Sequence, residues 1–106
     1  MKSKIVLTVA ILLSSQVFAE SEEAAINRIM NRIVIEKNAV INNRVQPKLA
    51  KMLGAYIFAT GYKCDSISSV IPTDRANKGF TVKCNNYRYS YIVKDRGGNW
   101  TVLLDD

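Results

Sequence analysis

The chain has 106 residues, with 15 lysines and arginines, 9 aspartates and glutamates, and no histidine, so its formal net charge at neutral pH is +6. Without histidine, Ser-His and Cys-His nucleophilic pairs and imidazole metal ligands are excluded. The basic excess is modest and spread along the chain, whereas a dedicated nucleic-acid-binding protein concentrates basic residues on one face, so we expect no nucleic-acid partner.

The start of the chain has the pattern of a bacterial-type signal peptide. Two lysines precede an almost wholly apolar run at residues 5–13, and a short polar stretch then ends in small residues at Ala19. The apolar run is shorter than the roughly 20 residues that span a bilayer, and no cysteine near the cleavage site offers a lipid anchor. We therefore expect cleavage of residues 1–19 between Ala19 and Glu20, and a periplasmic or secreted protein without a permanent membrane span.

Cleavage leaves residues 20–106, which we interpret as a single small α+β domain. It carries 13 basic and 9 acidic residues, because two lysines leave with the signal peptide, and therefore a net charge of +4. A chain of this length is near the lower limit at which a hydrophobic core alone suffices. The cysteine pair of an exported chain, Cys64 and Cys84, predicts a structural disulfide.

The first part of the mature chain predicts one or two amphipathic helices. From residue 20 to about residue 44, apolar residues recur at steps of three and four, and Ser21 with the two glutamates after it is typical of a helix start. Glu36 falls among the polar positions of this pattern. A second helical stretch begins at Pro47, which suits a first helical turn, and the region ends at Gly61.

The rest of the chain predicts four strands in an antiparallel meander. Runs rich in Val, Ile, Thr, Tyr and Phe are separated by a turn-rich stretch at 72–79, by an asparagine pair and by a glycine pair. The predicted strands are residues 62–71, 79–85, 87–95 and 99–104. A hairpin centred on Asp74 would place Cys64 directly opposite Cys84, at a side-chain separation that suits a disulfide.

Tight turns at the asparagine and glycine pairs extend this register along the sheet. They set Val82 opposite Tyr89, and Val93 opposite Val102. One face then carries Phe80, Val82, Cys84, Tyr87, Tyr89, Tyr91, Val93, Trp100, Val102 and Leu104. The other carries Thr81, Lys83, Arg88, Ser90, Lys94 and Thr101, with Ile92 and Leu103 as apolar exceptions. We expect the helices to pack on the apolar face. A helical region followed by an antiparallel sheet resembles the architecture of cystatin-like and PepSY-like proteins.

Two groups of residues on the predicted sheet are candidates for a binding site. The aromatic group is Tyr87, Tyr89, Tyr91 and Trp100. Such a row either stacks on a sugar or peptide ligand or belongs to the hydrophobic core. The apolar residues predicted opposite these aromatic residues favour the core. The second group is Lys83, Arg88, Ile92, Lys94 and Arg96, joined by the loop residues Asp74, Arg75 and Lys78. An apolar residue with a basic rim is typical of a partner surface, and an ordinary solvated face partly covered by the second helix is the alternative.

The function that these features favour is non-catalytic binding. No glycine-rich phosphate loop is present, and the acidic residues suggest no catalytic pair, so we expect no enzyme, cofactor or bound metal. The leading interpretation is an exported accessory protein that contacts another envelope protein, as an inhibitor, immunity or assembly factor. The alternative is a carrier or surface-associating module for a glycan, a peptide or an anionic lipid.

Overall fold

The computed structural model describes residues 21–105 and has an α+β fold with two helices and a five-stranded mixed sheet. The elements are α1 (Glu22–Met30), β1 (Val34–Ile41), α2 (Pro47–Ala59), β2 (Ser66–Pro72), β3 (Gly79–Cys84), β4 (Tyr89–Arg96) and β5 (Asn99–Leu104). The strands follow their sequence order across the sheet; β1 is parallel to β2, and all other neighbours are antiparallel. The predicted signal peptide and its cleavage site lie outside the described residues.

The first helix is much shorter than predicted, and a strand takes the second half of its range. Its start is as expected, since the Ser21 hydroxyl accepts a hydrogen bond from the Ala24 N–H at 3.0 Å. The helix ends at Met30, however, and residues 34–41 form β1. Val34, Ile35, Val40 and Ile41 are β-branched residues that favour strands. The prediction of four strands, all antiparallel, was therefore wrong.

Helix α2 begins at Pro47, as predicted, and it connects the parallel strands β1 and β2. Parallel neighbours cannot be joined by a tight turn, so a crossover of this kind is required. The helix lies close to the sheet at Gly54, where a Cβ atom would lie 2.9 Å from Cδ1 of Ile67 and 3.2 Å from Cγ2 of Ile33. Glycine at this position therefore permits the close contact between the two layers.

The predicted disulfide between Cys64 and Cys84 is present, but the hairpin register that was used to support it is wrong. Cys64 lies in the loop before β2, and Cys84 is paired across the ladder with Ile67. The two cysteine Cα atoms are 5.2 Å apart. The hairpin is centred on Ala76 and not on Asp74, since Pro72 is paired with Phe80. The ladder also contains an extra residue, Ser68, between Ile67 and Ser69.

The second hairpin also differs from its prediction, whereas the third agrees with it. Val82 is opposite Tyr91 rather than Tyr89, because residues 85–88 form a longer turn in which Asn85, Asn86 and Tyr87 have φ values of 56°, 57° and 64°. The shift is two residues, so each side chain keeps its predicted face. The glycine turn pairs Val93 with Val102 as expected.

The core lies between α2 and the aromatic face of the sheet. Its sheet residues include Ile67, Val70, Phe80, Val82, Cys84, Tyr91 and Val93, and its α2 residues include Ala50, Leu53, Ala55 and Ile57. Helix α1 packs on α2. Across residues 21–105, no helix is both long and apolar enough to cross a membrane.

Candidate functional site

The outer face, which we define as the side of the sheet turned away from α2, carries a row of side chains that are apolar except for Thr81; we call it the apolar row. Cross-strand pairing places Ile71, Thr81, Ile92 and Leu103 side by side on four consecutive strands. The side chains of Ile71 and Leu103 are 40% and 50% exposed. Helix α2 packs on the opposite, aromatic face, as expected, so the alternative in which the second helix partly covers the outer face was wrong.

A shallow groove of about 550 Å³ lies at the glycine-turn end of the outer face. We call it the basic groove, and its lining residues are Thr73, Asp74, Lys78, Ile92, Lys94, Asp95 and Arg96. Five of them belong to the partner surface predicted from the sequence: Asp74, Lys78, Ile92, Lys94 and Arg96. The structure thus brings the loop between β2 and β3 beside the outward residues of β4.

Backbone hydrogen bonds hold the loop against β4. The Asp74 carboxylate accepts from the Lys78 N–H at 3.0 Å, and the Lys78 carbonyl accepts from the Asp95 N–H at 2.7 Å. The Asp95 carboxylate in turn accepts from the Gly98 N–H at 2.7 Å, inside the glycine turn. Both carboxylates of the groove are therefore engaged by the backbone N–H groups of turns.

The lining of the basic groove carries three cations and two carboxylates, so its net charge is +1, and none of the cations is tied to a carboxylate by an ion pair. Within residues 21–105, the side chains of Lys78, Lys94 and Arg96 form no hydrogen bond or ion pair. An unpaired cation beside a partly buried apolar residue such as Ile92 attracts an anionic group, and the low-dielectric surface strengthens the attraction. The groove is therefore suited to an acidic ligand.

Three residues of the predicted surface lie outside this groove. Lys83 is on the outer face but on the other side of the apolar row, where it is paired with Ser90. Arg88 is exposed in the turn between β3 and β4. The carbonyl of Arg75 accepts a hydrogen bond from the Arg44 guanidinium at 3.4 Å, which ties the loop after β2 to the segment after β1.

The aromatic candidates are divided between the core and the surface. Tyr91 is 1% exposed, its hydroxyl donates to the Lys63 carbonyl at 2.9 Å, and burial raises its pKa. Trp100 is half-buried and stacks on Tyr56, with ring centroids 5.6 Å apart. Tyr89 is half-buried, whereas Tyr87 lies in a turn and is 51% exposed. These four residues therefore do not form a continuous exposed row that could stack on a ligand.

A polar cluster around Glu36 was missed by the sequence analysis. Its Oε2 atom accepts hydrogen bonds from the Ser66 hydroxyl at 2.6 Å, the Ser68 hydroxyl at 2.7 Å and the Asn86 N–H at 2.9 Å. The Ser68 hydroxyl also accepts from the Tyr87 N–H at 3.0 Å. One carboxylate thus joins β1, β2 and the turn after β3. No local pattern indicates this role, because the partners lie 30 to 50 residues away along the chain.

Replacing Glu36 by Gln is expected to lower the unfolding free energy at pH 7 by about 1–2 kcal/mol, since charge-assisted hydrogen bonds are lost. The bond from Ser66 lowers the pKa of Glu36 from its ordinary 4.5, the bonds from Asn86 and Ser68 act in the same direction, and partial desolvation opposes them. The carboxylate's contribution is therefore fully present above pH 4.5 and is lost as the pH falls through the lower folded-state value. Urea unfolding of both proteins from pH 7 to pH 3 tests this.

The matched control for that measurement is Glu22→Gln in the exposed first turn of α1. We expect it to change stability by only a few tenths of a kcal/mol, through the helix dipole. The difference between wild type and E36Q should shrink toward low pH. A difference that stays constant down to pH 3 would contradict the assigned role of Glu36.

The described part of the chain offers no cluster of three or more His, Cys, Asp or Glu side chains that could hold a metal ion. Comparisons of the chain with protein-family models, curated proteins and solved structures find no match.

Proposed function

We propose that this chain is a non-catalytic binding protein of the bacterial cell envelope, and that its basic groove receives an acidic segment of another envelope protein. The observation that carries the proposal is the set of three cations without ion pairs, Lys78, Lys94 and Arg96, around the apolar side chain of Ile92. Such a protein would act as an inhibitor, immunity or assembly factor. The disulfide supports an extracytoplasmic location, because disulfides persist in oxidising compartments.

The arrangement of the groove suits recognition of a protein surface. Its cations lie beside the apolar row, on the side of the glycine turn, and that row includes the exposed Ile71 and Leu103. Charged groups at such a surface steer the partner and set its orientation, while apolar contacts supply binding energy. The groove residues lie on β4 and on a loop bonded to it, so little ordering is needed on binding, and this favours affinity.

The alternative is a surface-associating protein that meets an anionic lipid through the same cations. The burial of Tyr91 and the stacking of Trp100 against Tyr56 leave the glycan and peptide alternatives without a continuous aromatic platform. An anionic lipid headgroup and an acidic peptide are both negatively charged, so the experiment must distinguish binding to a lipid from binding to a protein.

The test is capture of envelope proteins by the tagged, oxidised mature protein after crosslinking, read by mass spectrometry. We expect one stoichiometric protein partner, and we expect the double reversal K78E/K94E to reduce its capture at least tenfold, which corresponds to about 1.4 kcal/mol. The matched control is K48E/K51E, which makes the same charge change on α2, in the other layer of the fold. Both variants should melt within a few degrees of the wild type.

Two results would oppose the proposal. Equal capture by K78E/K94E and by the wild type would remove the basic groove as the binding site. Binding to protein-free vesicles that contain anionic lipid, lost in K78E/K94E and retained in K48E/K51E, would assign the groove to a lipid surface if no protein is enriched.

A further inference from the structure

The two edges of the sheet differ in how open they are to pairing with another strand. In β1 the pairing with β2 is interrupted between Ile35 and Val40, and the interruption contains the charged residues Glu36 and Lys37. Interruptions and charges of this kind prevent edge-to-edge association. In β5 the pairing with β4 is continuous from Asn99 to Leu104, and the strand contains neither a charged residue nor a proline. Edge β5 therefore has none of these protections.

The hydrogen-bonding pattern of β5 follows from one backbone contact at its end. The Asp105 N–H donates to the Ser90 carbonyl at 3.0 Å, so odd-numbered residues of this segment turn their backbone groups toward β4. In an antiparallel ladder, alternate residues point their N–H and C=O groups to opposite sides of the strand. The backbone groups of Trp100, Val102 and Leu104 consequently face the open edge.

We propose that β5 pairs with β5 of a second copy of this chain, antiparallel and about a two-fold axis at Val102. In this register Val102 is opposite its own equivalent, and Trp100 is opposite Leu104 of the second copy. Every edge-facing N–H and C=O of these three residues then has a partner. The two sheets become one continuous sheet, and the interface is isologous, as a two-fold axis requires.

The side chains in this register are complementary on both faces. On the aromatic face, Trp100 meets Leu104 of the second copy, whose side chain is 53% exposed in the single chain. On the outer face, Thr101 meets Leu103 of the second copy, which is 50% exposed. Opposed pairs of aromatic and aliphatic residues stabilise a sheet, and no like charges are placed opposite each other.

Opposite charges flank β5 at each end of the proposed interface, but salt partly screens them, so they contribute modestly against the repulsion between two copies of net charge +4. Arg96 is paired with Asn99 on the outer face, and in the proposed register Asn99 is opposite Asp105 of the second copy. Arg96 and that Asp105 lie in one cross-strand row, two strand spacings or about 10 Å apart. Asp105 is positioned by the Ser90 hydroxyl, which donates to it at 2.8 Å. The two-fold axis produces this attraction twice.

The dimer is expected to be weak, because pairing of two short strands buries less surface than a standard interface of about 1,600 Å². We expect a dissociation constant on the order of 10–100 μM. The measurement is sedimentation equilibrium of the oxidised mature protein at concentrations from 1 μM to 1 mM. The wild type should change from monomer to dimer over this range.

Two variants and one control test the assignment to β5. V102P removes an N–H that faces the open edge, so it leaves the ladder with β4 intact and abolishes the central pair. T101K/L103K places lysines opposite lysines across the axis while changing only two outward side chains. Each should weaken dimerisation at least tenfold. V40K, at an outward residue of β1 that is 55% exposed, should dimerise as the wild type does.

A wild-type protein that remains monomeric at 1 mM would overturn the proposal. So would a dimer that T101K/L103K leaves unchanged, and this variant decides the matter even if V102P fails to fold. K78E/K94E separates this proposal from that of the basic groove: it leaves β5 and Arg96 unchanged, so it should dimerise normally whether or not it captures a partner.

Discussion

Truncation of Tyr91 to alanine is expected to lower the unfolding free energy by about 3–5 kcal/mol, the usual range for an aromatic residue lost from a core. The side chain is 1% exposed, and its ring lies 5.3 Å from that of Tyr62. The hydroxyl donates to the Lys63 carbonyl at 2.9 Å, so the variant also deprives that carbonyl of its donor. For a domain of this size, such a loss amounts to a large part of the total stability.

The matched control is Tyr87→Ala, which removes the same side chain from an exposed turn. It should change stability by no more than about 0.5 kcal/mol. Urea unfolding of Y91A, Y87A and the wild type measures both effects. If Y91A is as stable as Y87A and has lost binding to a glycan or peptide, Tyr91 belongs to a ligand site and our assignment to the core is wrong.

Reduction of the disulfide between Cys64 and Cys84 is expected to lower stability by roughly 3 kcal/mol, because the bridge closes a loop of about twenty residues. This corresponds to a fall in melting temperature of roughly 10–20 °C for a domain of this size. Both cysteines are fully buried, so we expect reductant to act slowly on the folded protein. Thermal unfolding of oxidised and fully reduced protein, followed by circular dichroism, measures the difference.

The reduced protein should still fold, because hydrogen bonds beside the bridge hold the same two segments together. The Asn85 side-chain carbonyl accepts from the Asp65 N–H at 2.9 Å and from the Ser66 N–H at 3.1 Å. C64A/C84A, which cannot re-oxidise, serves as the control for incomplete reduction. Equal melting temperatures of the oxidised protein and this variant would show that the bridge contributes little.

Much of the basic groove was predictable from local alternation. Ile92, Lys94 and Arg96 alternate along β4, so a correct assignment of that strand places all three on one face. Asp74 and Lys78 were recognised as loop residues. Their contact with β4 could not be predicted from local patterns, because it depends on the pairing of Gly79 with Lys94 and on the hydrogen bond from the Asp95 N–H to the Lys78 carbonyl. The predicted pairing of β3 with β4 was displaced by two residues from the observed pairing.

The sequence by itself determined the disulfide partners, the start of α2 at Pro47, the glycine turn and which face of the antiparallel strands is apolar. Each of these features depends on residues close in the sequence or on the alternation of side chains between the two faces of a strand. A two-residue error in strand pairing leaves every side chain on the same face. Only the tertiary structure decided that residues 34–41 form β1, because its strand conformation depends on pairing with β2, about thirty residues further along the chain. The same long-range pairing gives Glu36 its serine partners, which no local pattern can specify.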